Sequence, residues 1–145
     1  MAVVAVEYGI IQRLKDDASI TALVGSGTNA RISEEFPTQT AALPYITVRR
    51  VTTDYRHHVT GTTSLMRGDI QIDVFAETSV KAHALADLIR ARLNTFSDTV
   101  TIGSDTVVFH HCYIESDNTG FLTPRGGDDA RVKRLSHDWV VWVGV

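Results

Sequence analysis

The chain is short of cysteine, proline and net positive charge, and each shortage excludes something. A single cysteine, Cys112, stands among 145 residues, so no intrachain disulfide framework and no multi-cysteine zinc site can form. Lysine and arginine number 14 against 17 aspartates and glutamates, a formal charge of −3. A mildly acidic chain lacks the broad basic footprint of a nucleic-acid binder. No apolar run reaches the ~18 residues that mark a membrane-span candidate. The apolar start, Met1 to Val6, carries no basic residue and meets Glu7 at once, unlike a secretion signal. There is no fixed-period repeat and no low-complexity segment. What remains is ordinary: 43% hydrophobic and 21% charged residues, as in an average globular domain. The length fits one domain, residues 1–145, large enough to fold without a covalent staple.

Hydropathy patterning supplies the elements. Val3 to Asp16 follows helical spacing, with Gly9 costing about 1 kcal/mol against alanine. Ala18 to Val24 forms a second short helix, with Asp17 as a possible cap and Gly25 just past its end. Arg31 to Leu43 is mixed and broken by Pro37. Tyr45 to Thr53 alternates as a strand, with Ile46 and Val48 on one face and Thr47 and Arg49 on the other. Val59 to Ser64 reads as a polar hairpin connection. Met66 to Ala76 is the clearest strand: Ile70, Ile72, Val74 and Ala76 oppose Asp69, Gln71, Asp73 and Phe75. A helix capped by Thr78 and ended by Asn94 places Ala82, Leu85, Ala86, Ile89 and Leu93 on one stripe, with Lys81, Asp87, Arg90 and Arg92 solvated. Short strands follow at Val100–Ile102, Val107–Glu115 and Arg134–Val145, with a long glycine-rich loop at Asp117–Asp129. Hairpin-length links favour an α+β fold: a small, mainly antiparallel sheet with two or three helices on one face.

Candidate chemistry is thin. His57-His58 and His110-His111 are the histidine doublets, and strand alternation would put His110 and Cys112 on one face. Zinc needs three or four convergent ligands, which nothing else specifies, so hydrogen-bonded strand histidines and a core thiol are the expectation. No catalytic residue, metal site or cofactor is expected. There is no Gly-x-Ser-x-Gly elbow and no phosphate loop around Gly25-Ser26-Gly27. Asp69 and Asp73 stand about 13 Å apart by strand rise, too far for a glycosidase pair. A wet or partner-facing surface suits them better; were that face to line a passage for DNA, its acids would keep phosphate from sticking. Trp139-Val140-Val141-Trp142-Val143 is apolar on both faces, which fits either a covered central strand or a contact with another subunit.

Three segments together carry a resemblance. They are Asp17-Ala18-Ser19-Ile20-Thr21-Ala22-Leu23-Val24-Gly25 followed by Arg31-Ile32; Ala42-Leu43-Pro44-Tyr45-Ile46-Thr47-Val48; and Asp69 to Thr78 running into the helix with Ala82, Leu85 and Ala86-Asp87. Between Tyr8 and Leu93 their order and spacing resemble the tail-completion or tail-terminator proteins of long-tailed bacteriophages and gene-transfer agents. The resemblance implies a structural virion protein, made in the host cytoplasm. Such proteins form a ring, usually a hexamer, at the head-proximal end of the tail. The ring stops tube polymerisation and docks to the neck. Implied partners are copies of itself, the tail tube protein and the neck connector, with genome DNA passing without specific binding and no membrane involved. Another neck or minor tail component is the alternative, and a small metal-dependent enzyme a more distant one.

Interfacial work needs surfaces, and the chain offers several. The turn offers Val59, Thr60, Gly61, Thr62 and Thr63. The strand face offers Asp69, Gln71 and Asp73. The long loop offers Gly120, Phe121 and Arg125, and the terminal strand offers Trp139 and Trp142. Rings require head-to-tail contacts, and an edge strand can extend a neighbour's sheet.

Overall fold

The computed structural model describes residues 6–27, 30–34, 42–58, 61–118 and 133–144. Its helices begin and end where side chains can satisfy the free backbone groups. Helix α1, Val6–Lys15, buries Val6, Ile10, Ile11 and Leu14. The expected first turn at Val3 lies outside the described residues. Asp17 caps α2, Ala18–Val24, by accepting hydrogen bonds from the Ser19 and Ile20 N–H groups at 2.8 and 3.2 Å. At its other end Gly25, at φ 89°, donates its N–H to the Thr21 carbonyl. Thr78 caps α3, Ser79–Leu93, through the Lys81 N–H at 3.2 Å, and Asn94 ends it. The whole expected stripe of α3, Ala82 to Leu93, is buried.

Six strands form one sheet: β1 Ile32–Ser33, β2 Tyr45–His58, β3 Gly61–Ala76, β4 Asp98–Ile102, β5 Asp105–Asn118 and β6 Lys133–Gly144. Their order is β1-β2-β3-β6-β5-β4, and only the β1–β2 pair is parallel. The α+β reading is correct. The turn at Val59–Ser64 is not as expected. His58 pairs with Gly61 and His57 with Thr62, so the strands run on and only residues 59–60 separate them. The β-branched Thr62 and Thr63 suit a pleated strand better than a loop. Strand β5 likewise continues to Asn118, past the expected end. Strand β1 lies in a stretch that showed no period, because two residues are too few to show one.

Pairing register assigns the faces. Ile46, Val48, Ile70, Ile72, Val74, Leu135, Trp139, Val141 and Val143 share the inner face and are buried with the helix stripes in one core. Strand β6 is interior, between β3 and β5, and Val140 on its outer face is also fully buried. The two-sided apolarity of this segment therefore reflects a central strand. Helices α1 and α3 are locked end to end. Arg13 Nε donates to the Arg92 carbonyl at 3.2 Å and Arg92 Nε to the Arg13 carbonyl at 3.1 Å. Arg92 is thus a half-buried clamp, against the expectation that it is solvated. Each guanidinium satisfies a carbonyl that the end of a helix leaves free, with the charge placed where the helix dipole favours it. The Arg13 guanidinium also lies 4.0 Å from the Phe96 ring centroid.

Gly9 explains itself by what it touches. A Cβ there would stand 2.8 and 2.9 Å from Phe109 Cζ and Cε2. Phe109 is 1% exposed and packs on Phe96 at 5.0 Å between centroids, so the ring has nowhere to go. Glycine therefore sets how closely α1 approaches β5. Gly9→Ala should lower stability by about 1–2 kcal/mol, because overpacking at this contact outweighs the helix-propensity gain. A rise in the urea unfolding midpoint would show that α1 can shift outward without loss.

Candidate functional site

On the outer face, opposite the helices, Asp73 is the centre. It faces Thr47 of β2 and Ser136 of β6. Ser136 Oγ donates to its Oδ1, Arg134 Nη2 to its Oδ2 at 2.9 Å, and Gln71 Nε2 to its Oδ1 at 3.1 Å. The Arg49 guanidinium stands 3.8 Å from the same carboxylate. Asp73 and Thr47 are 0% exposed. The expectation of a wet or partner-facing acid at Asp73 is therefore overturned. A carboxylate that gathers two guanidiniums and a hydroxyl is no longer a free anion; its hydrogen bonds join β3 and β6, and its ion pair with Arg49 adds β2. Asp69 is the more open acid. It accepts from Thr52 Oγ1 and pairs with Arg67 at 3.3 Å. Gln71 is half-buried between the two carboxylates.

The remaining interface candidates separate clearly. Trp139 faces the core at 1% exposure and offers no surface, because β-pairing with Ile70 turns it inward. Trp142 is on the outer face, partly exposed, opposite Arg67 and His111. Gly61, Thr62 and Thr63 lie in β3, beyond Leu65, the last β3 residue that pairs with β6, so this end of the hairpin is a two-stranded ribbon. Val59, Thr60, Gly120, Phe121 and Arg125 lie outside the described residues.

Histidine and cysteine do not come together as alternation suggested. A register shift between Phe109 and His111 places both Phe109 and Cys112 in the core, leaving His110 exposed. The bulge adds one residue and reverses the parity that would have put His110 beside the thiol. Burial pushes the Cys112 thiol up to about 12, so it stays protonated and inert. Among the described residues, no three His, Cys, Asp or Glu side chains are grouped as metal ligands would be.

A second buried polar group lies beneath α3. His137 is 1% exposed on the inner face, with Nε2 3.4 Å from Asp117 Oδ1 and its ring 6.2 Å from that of Trp139. Arg90 of α3 reaches the same aspartate at 3.2 Å, so it too is held and not simply solvated. Burial lowers the His137 pKa below its usual 6.5, with Asp117 opposing and Arg90 adding to the decrease.

Two of the three segments that carried the resemblance meet at one junction. The Arg31 N–H donates to the Val24 carbonyl at 2.8 Å, and the Ile46 N–H to the Arg31 carbonyl at 2.9 Å. The Arg31 side chain reaches the Leu23 carbonyl through Nη2 and the Pro44 carbonyl through Nε, both at 2.9 Å. One arginine thus fastens the end of α2 to the start of β2.

Two measurements check these environments. Asp73→Ala should cost about 3 kcal/mol in urea unfolding, the low end for breaking a buried ion pair, since both arginines can still reach water. Asp69→Ala, by contrast, should change stability by under about 0.5 kcal/mol, and equal losses for the two would remove the distinction. For His137 the unfolded chain binds the proton more readily. Its stabilisation is therefore complete above pH 6.5 and is lost as pH falls from there toward the lower folded value. His137→Gln should flatten the stability profile in that window by up to about 1.4 kcal/mol per pH unit. An unchanged slope would exclude His137 as the titrating group.

Comparison with known proteins agrees with this geometry. No curated protein matches the chain. A chain in the solved structure of the virion of a native gene transfer agent particle superposes with a TM-score of 0.70 at 17% identity, over 97% of this chain and 96% of that one. The model of the family described as tail completion protein gp17 matches residues 9–110, which includes most of α1, the Arg31 junction, the Asp73 strand and α3. The chain belongs to the tail completion protein gp17 family.

Proposed function

We propose that the protein is the tail terminator: a ring of copies at the head-proximal end of the tail tube that stops tube growth and offers its other side to the neck. Membership of the tail completion family over 102 of the chain's 145 residues carries this reading. The likeness in fold to a chain from an assembled gene transfer agent particle supports it. The work is done by fit between surfaces, with no bond made or broken. Copies of the chain, the tube protein and the neck connector are its partners, and DNA crosses the ring without specific contacts.

The outer face suits such a role because it is stiff where it is charged. Asp73 is neutralised inside the sheet, so the face presents Asp69, Gln71 and the partly exposed Trp142 on a fixed frame. A rigid surface loses little conformational freedom on docking. Negative-stain microscopy of the purified protein with its matching tail tube protein tests the proposal. Rings should cap one end of each tube, and tubes grown in their presence should stop lengthening. Tubes of unchanged length with bare ends would overturn it, and binding to the neck connector alone would make the chain a different neck component.

A further inference from the structure

Beneath α3 the core holds an unsatisfied base. His137 is 1% exposed on the inner face, and neither ring nitrogen has a hydrogen-bond partner among the described residues. Buried polar atoms are almost always paired, so a bare buried imidazole is an exception. Four charged groups surround it. Asp117 of β5 faces the ring, with Oδ1 3.4 Å from Nε2, an ion-pair distance. Arg90 of α3 donates to Oδ2 of the same carboxylate at 3.2 Å. Asp87 of α3 pairs in turn with Arg90 at 3.6 Å. Asp138, next along β6, accepts from Ser116 Oγ at 2.8 Å. Strand β3 adds only the apolar Ile72 opposite.

The strand that carries Asp117 is held lightly at this point. A register shift separates Ile114 from Ser116, and the last three pairs of β5, Ser116 to Asn118, lie beyond it. Strand β4 covers β5 only from Asp105 to Phe109. Further on, the end of α3 plugs the same side. The Thr95 N–H donates to the Cys112 carbonyl at 2.7 Å, and Asn94 Oδ1 accepts the Ile114 N–H at 3.3 Å. Past Ile114 no described strand borders β5 there. The Arg90 side chain does, through a partly exposed ion pair of the kind that holds weakly.

We infer that His137 is the trigger of a proton-operated latch: when its ring takes up a proton, Ser116 to Asn118 of β5 detach from β6 and water reaches the ring. The neutral imidazole tolerates a dry site. The imidazolium carries a charge and two N–H donors. Asp117 meets one donor and the other has no acceptor, so the cation is stable only where water can enter. Burial opposes the charge more than Asp117 favours it, and Arg90 repels it as well. Helix α3 offers no easy way in, because its stripe from Ala82 to Leu93 is buried. Strand β6 is tied to β3 on its other side from Lys133 to Gly144. The end of β5 is the element that gives way at the lowest cost. The open form binds the proton at the ordinary histidine value and the closed form only at a lower one, so opening grows as pH falls below 6.5. The event is local and leaves the rest of the fold closed.

Amide hydrogen exchange followed by NMR, corrected for the intrinsic effect of pH, tests the latch. Below pH 6.5, protection of the amides paired between residues 116–118 and 136–138 should fall by up to about tenfold per pH unit, the limit for one proton. Amides of residues 70–74 in β3 and 82–89 in α3 should keep theirs. His137→Gln should abolish the pH dependence, and His111→Gln, at an exposed ring, should leave it intact. In the unmutated protein the His137 imidazole signal should titrate over the same range as the loss of protection, which keeps the test decisive even where the variant does not fold. Equal loss in β3 and α3 would mean global unfolding and overturn the latch. So would a pH dependence that survives His137→Gln, or a ring that titrates while the 116–118 pairs stay protected.

Discussion

The fold depends on covering one face of a sheet. The inner-facing positions of β3 from Ile70 to Ala76 and of β6 from Leu135 to Val143 are apolar apart from His137, and that face cannot be left in water. Helices α1 and α3 provide the cover, and they must be held at a fixed height and angle to do so. Three contacts fix them. Gly9 lets α1 approach Phe109 closely, Arg13 and Arg92 exchange hydrogen bonds with each other's carbonyls, and the α3 terminus seals the β5 edge through Asn94 and Thr95. None of these is a hydrophobic contact in the usual sense. They are the polar and steric terms that give the apolar layer one arrangement among many.

The opposite face obeys a different rule. There the sheet carries charge, and charge in the middle of a sheet must be paired. Asp73 with Arg134, Ser136, Gln71 and Arg49 meets that demand across three strands. The family segments thus divide by task. The Arg31 junction and the Asp73 hub hold the frame together, while Asp69 and Trp142 stay partly exposed to solvent. Shape conserved at low identity, as in the gene transfer agent comparison, is what such a division allows.

Much of the architecture was legible in the sequence because periodicity reports burial directly. Ile70, Ile72 and Val74 alternate with Asp69, Gln71 and Asp73, and Ala82 to Leu93 keep helical spacing. Both apolar faces are buried as that spacing implies. The site was less legible, for identifiable reasons. Alternation shows which way Asp73 points but not that Arg134 and Ser136, 61 and 63 residues away, will close over it. A bulge leaves no mark on composition, yet one extra residue at His110 puts Phe109 and Cys112 on the same face and leaves His110 outside it. Apolarity on both sides of the Trp139 segment fits a covered central strand and a subunit contact equally, and only the strand order shows that both sides are covered. Val59 to Ser64 suggests a turn although Gly61–Thr63 belong to β3, because threonine and glycine serve both structures.

The order of the strands has a consequence for how the molecule is made. Within the sheet, strands β1, β2 and β3 form one block and β4 and β5 another, and β6 is the strand between them. Yet β6 is the farthest along the chain of the six. Each half can zip up locally as it leaves the ribosome, while the seam between them waits for residues 133–144. Until then neither border of the finished sheet stands at its proper distance from the other.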